Sequence, residues 1–92
     1  MPYIDPSNRT IYDENIQKLA ENLKAITKSG KECGELNYII TSLIKQVYKD
    51  RYCYSVHNEI VGLLECCKQE WYRRFSAPYE DLAILRNGDV KP

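Results

Sequence analysis

The chain is short of histidine, of net charge and of long apolar runs, and each shortage removes a class of function. It has one histidine, His57, in 92 residues. Di-metal carboxylate bundles need a Glu-x-x-His pair on their helices, and Tyr54 stands three residues before His57. That chemistry is excluded, and histidine-aspartate phosphohydrolase chemistry with it. Lys plus Arg equals Asp plus Glu at 13 each, so no whole-chain field draws in nucleic acid or an anionic membrane. No apolar run approaches the ~20 residues that cross a bilayer. There is no C-x₂-C pair, internal repeat or low-complexity tract.

What is present is helical punctuation around apolar stripes. A chain this short forms one domain, expected here to span residues 1–92, and buries only ~60–65% of its unfolded surface. Asp5 followed by Pro6 predicts a helix start. Tyr12, Ile16, Leu19, Leu23 and Ile26 then recur at spacings of 4, 3, 4 and 3, an amphipathic face of about 80°. Ser29-Gly30 ends that helix. A second helix is expected from Glu35 to about Lys49, with Leu36, Ile39, Ile40, Leu43, Ile44, Val47 and Tyr48 sweeping about 180°. So wide an arc predicts the centre of a bundle, with Asn37 buried inside it and in need of a hydrogen-bond partner. Ser55 is the expected cap of a third helix whose apolar face runs from Val56 through Ile60, Leu63, Leu64, Cys67 and Trp71 to Phe75. Pro78 disfavours helical geometry at Ala77, so the helix is expected to kink or restart there, with Ser76 as cap, and to end at Asn87-Gly88. The fold class is therefore all-α: a three-helix bundle with a short fourth helix at the C-terminus.

Constellations that could carry chemistry are weak. Glu32 and Glu35 match an E-x-x-E box, but Gly34 at the expected helix start separates them and no E-x-x-D follows. Cys53 and His57 are spaced C-x₃-H, with Cys66 and Cys67 on later turns, a pattern no common zinc module uses. MPYIDPSNR shows no apolar stretch of a secretory leader, so the expected compartment is a reducing cytoplasm with free, structurally inert thiols. Trp71-Tyr72-Arg73-Arg74-Phe75 interleaves aromatic and basic groups as single-strand binders do, yet Glu80 and Asp81 follow and Glu70 can pair with either arginine. Nucleic acid and membrane are not expected as partners, and no catalytic residue, cofactor or metal site is assigned.

The surplus is tyrosine, 8 residues in all. So many cannot fill a small core, and aromatics with a polar tip suit interfaces. The leading expectation is a non-enzymatic, self-associating binding module, most simply a homodimer. Its candidate interface residues are Asn37, Tyr38, Ile44, Tyr48, Arg73, Arg74 and Tyr79. The alternative is a small-molecule binder of nucleotide type, with Asn37, Tyr38, Arg73, Arg74 and Tyr79 meeting a ligand at a subunit seam.

Three stretches taken in order, MPYI at the start, GELNYIIT from Gly34 to Thr41, and YRRFSAPYED from Tyr72 to Asp81 with NGDV to Val90, resemble a family of small uncharacterised proteins of bacteria, archaea and tailed phages. The resemblance implies a prokaryotic or viral cytoplasmic protein and brings no activity, cofactor or catalytic residue with it.

Overall fold

The computed structural model describes residues 3–91, so Met1 and Pro2 of the MPYI motif lie outside the described residues. Every regular element among them is helical: a 3₁₀ turn Pro6–Asn8, α1 Thr10–Ile26, α2 Glu32–Val47, α3 Tyr54–Trp71, a π turn Tyr72–Ser76 and α4 Ala77–Asn87. The all-α class read from the pattern holds. The described residues group into two compact units, 3–56 and 57–91.

In the first unit, Asp5 caps the 3₁₀ turn rather than α1. Its Oδ1 accepts from the Ser7 amide at 2.9 Å and the Ser7 hydroxyl at 2.6 Å. These bonds hold the Asp5 carboxyl below the usual carboxylate range. Arg9 closes the segment by donating from Nε to the Ile4 carbonyl at 2.8 Å, and α1 starts one residue later. Thr27, in extended conformation, ends α1 with its amide on the Leu23 carbonyl. Gly30 then takes a φ of +90°, a backbone state that side chains oppose.

α2 begins at Glu32 and ends at Val47, earlier at both ends than the spacing predicted. Glu32 accounts for the early start, because its carboxylate reaches back to accept from the Gly30 amide at 2.6 Å. Gly34 therefore sits inside the first turn. Asp50, with φ +66°, reverses the chain after α2; aspartate tolerates the left-handed region better than most residues. Around it the Arg51 amide bonds to the Tyr48 carbonyl at 3.0 Å, the Arg51 guanidinium lies 5.4 Å from the Tyr48 ring centre, and the Tyr52 hydroxyl donates to the Lys45 carbonyl at 3.1 Å.

The second unit contains a helix that does not stop where a proline says it should. Ser76 and Ala77 both keep right-handed helical angles and Ser76 makes no capping bond. The expected cap is thus replaced by a π turn, in which the Ala77 amide reaches back five residues to the Tyr72 carbonyl. Helical backbone runs unbroken from Tyr54 to Asn87. Gly88 ends it at φ +82° and ψ 153°, a region open almost only to glycine.

Among the described residues none is buried, apolar or polar. The buried core expected along α2 and the third helix is therefore not found among them. Trp71, expected to close a core, is 62% exposed, and Cys67 is exposed with the other three cysteines. Tyr38, Tyr54 and Tyr79 are each at least 66% exposed, in keeping with a tyrosine surplus that cannot be housed inside.

Candidate functional site

The densest set of interacting side chains surrounds the π turn. An α-helix advances about 100° per residue, so residues eight apart stand about 80° apart around it. The Tyr72 hydroxyl nevertheless donates to Glu80 Oε2 at 3.0 Å. The π turn makes this possible, because absorbing one residue brings the two positions to within about 20°. The Glu80 carboxylate, through that bond and its charge, pushes the Tyr72 phenol above its ordinary range, and Asp81 adds a smaller push.

On the preceding turn Glu70 meets both arginines. Arg73 Nη2 donates to Oε1 at 3.2 Å, and Arg74 Nη1 stands 3.8 Å from the same oxygen. The expected pairing of Arg74 one turn back is found. Glu70 keeps only 18% of its side chain exposed, whereas Arg73 keeps 71%. Trp71 and Phe75 stack with ring centroids 4.5 Å apart at 40°, and both are more than half exposed. An exposed block of Trp, Phe, Tyr and Arg has the composition of a binding hot spot.

Of the candidate interface residues, Arg73 and Arg74 belong to this block, and Tyr79 stands exposed on α4 just after it. The others lie on or just past α2. Asn37 is exposed rather than buried, and its Oδ1 accepts from the Thr41 hydroxyl at 3.3 Å. Its need for a partner is met one helical turn away, on its own helix. Tyr38 is 72% exposed. Ile44 and Tyr48, expected at the interface, are half-buried, and the exposed apolar face of α2 is carried by Leu36, Ile40, Leu43 and Val47.

Two rejected constellations change in detail. With α2 starting at Glu32, Glu32 and Glu35 do share a helix, contrary to the expectation drawn from Gly34. No group of three or more metal-type ligands forms among the described residues. Cys53 has a hydrogen-bonding partner close by. It stands just before α3, with Sγ 3.3 Å from the Ser55 hydroxyl. That hydroxyl first, and the Val56 amide next, hold the thiol below its ordinary range, with a lesser contribution from Arg51. The signal for it, Cys-Tyr-Ser directly before an apolar stripe, is visible in the sequence.

An open concavity of about 630 Å³ flanks the start of α1, lined by Ile4, Asn8, Ile11 and Tyr12 among others, and holds none of the candidate residues. No described helix is long and apolar enough to cross a membrane. The chain belongs to the family described as Domain of unknown function (DUF6899), whose model matches residues 1–90. No curated protein and no solved structure matches it.

Proposed function

We propose that this member of the family acts by binding and not by catalysis, as a helical module of the prokaryotic or phage cytoplasm that associates with a second copy of itself. One observation carries the reading: large apolar side chains stand exposed on all four helices, among them Ile16, Leu43, Trp71 and Leu82 at 58–62%. Soluble chains seldom leave contiguous apolar surface uncovered, and closure by a two-fold partner is the commonest way to cover it. Equal numbers of acidic and basic residues leave no net repulsion between copies. The exposed tyrosines and the Arg73–Arg74 pair supply residue types that interfaces favour.

Light scattering after size exclusion at micromolar concentration tests this. A mass of twice the chain is expected, and a monomer at every concentration ends the reading. Native mass spectrometry of the same sample reports whether a small molecule is retained, the outcome that favours a nucleotide-type ligand for Asn37, Tyr38, Arg73, Arg74 and Tyr79.

A further inference from the structure

The π turn falls where an apolar repeat along the C-terminal helix gains one residue. Ile60, Leu64, Cys67 and Trp71 follow spacings of 4, 3 and 4, the a/d pattern of a coiled-coil strand. Continued without interruption, that pattern lands next on Arg74 and Pro78, a charge and a helix breaker. Shifted by a single residue it lands on Phe75, Tyr79 and Leu82, exposed by 53%, 66% and 58%. The π turn Tyr72–Ser76 supplies that shift, since widening one turn absorbs one residue. The Tyr72–Glu80 bond at 3.0 Å is a consequence of the same shift.

Resting on the self-association reading, we infer that residues 60–82 form one continuous coiled-coil seam, kept in phase by the π turn, and that its occupant is the same helix of a second copy. The length of the seam selects that occupant. Ile60 to Leu82 spans about 32 Å once the absorbed residue is discounted. The stripe of α1, Tyr12 to Ile26, runs about 21 Å, and that of α2, Leu36 to Val47, about 17 Å. Neither matches the full length of the seam, whereas a second C-terminal helix does. The Trp71–Phe75 stack, 4.5 Å between centroids, and Tyr79 form the aromatic middle of the seam, where interface energy concentrates.

The test is sedimentation equilibrium of the full chain with three variants, each checked for helicity by circular dichroism. The wild type is expected to dimerise. Phe75→Glu places a charge in the seam and should weaken the dimer at least tenfold. Deleting Ser76, the last residue of the π turn, removes the extra residue, sets Phe75, Tyr79 and Leu82 at the fourth, seventh and tenth positions after Trp71, and should keep the dimer. Inserting an alanine after Ser76 turns Tyr79 and Leu82 off the seam by about 100° and should weaken the dimer as Phe75→Glu does. If Phe75→Glu fails to fold, the deletion and the insertion decide, because both leave every seam side chain in the chain. A wild-type monomer overturns self-association and the seam together. A wild-type dimer indifferent to Phe75→Glu and to the insertion overturns the seam alone, and loss of the dimer on deleting Ser76 overturns the role given to the π turn.

Discussion

The two units meet a helix-ending signal in opposite ways. At Ser29-Gly30 the chain obeys it: Thr27 extends, Gly30 takes φ +90° and a new helix starts at Glu32. At Ser76-Ala77-Pro78 the chain overrides it and stays helical through the proline. A left-handed residue reverses the chain and has no substitute. A missing amide, by contrast, is tolerated if the preceding turn widens, because the donors and acceptors then re-pair one residue further back. Whether a break becomes a turn or a bulge thus depends on which backbone freedom the sequence supplies, glycine in one case and a spare residue in the other.

The largest expected effect is at the overridden break. An interior proline costs a regular α-helix about 3 kcal/mol, and the π turn should already have relieved part of that. Pro78→Ala should therefore stabilise the helix by less than about 3 kcal/mol, read from thermal melting. A gain of the full amount would mean that the π turn offers the proline no relief. The obeyed break should respond in the other direction. Gly30→Ala forces a side chain into the left-handed region and should cost about 1–2 kcal/mol. A melting curve that does not move would show that the turn readily finds another backbone path.

Next comes a pH effect confined to the second unit. The raised Tyr72 phenol means that the folded chain holds its proton more tightly than the unfolded chain does. The resulting stability is fully present below the ordinary tyrosine range, near pH 10, and is lost as pH rises through the higher folded value. Glu80→Gln should bring the Tyr72 titration, followed by ultraviolet absorbance, back toward the ordinary range. An unchanged titration would separate Tyr72 from Glu80 in solution. The smallest effect belongs to the first unit, where Cys53 should react with a thiol reagent at lower pH than an unassisted thiol. Ser55→Ala should slow it, and a rate untouched by that change would remove the hydroxyl from the account.

The stripes of α1 and α2 and the end at Asn87-Gly88 were legible because period and glycine placement are local signals. Helix starts were less so. Glu32 reaching back to Gly30 and Asp5 closing a separate 3₁₀ turn are side-chain choices that residue type alone does not decide. The π turn was hidden by a rule that is sound on average, the aversion of a residue before proline to helical angles. Ala77 at φ −62° and ψ −48° is the exception. Its trace in the sequence is the slip from alternating spacings of 4 and 3 to three consecutive fours at Cys67, Trp71, Phe75 and Tyr79. Burial was misjudged for Asn37, Cys67 and Trp71 because a periodic stripe shows which face is apolar, not what covers it.

That no described residue is fully buried bears on how the chain should come apart. Denaturant sensitivity and heat-capacity change both scale with surface newly exposed on unfolding. A lone copy has no fully buried residue among those described to expose, so its unfolding should be less cooperative than that of a packed domain, with a shallower urea dependence and a broader calorimetric trace. A sharp transition would have to be lent by whatever covers the stripes. If that is a second copy, the midpoint should climb with protein concentration, and dilution alone should turn a cooperative melt into a gradual one.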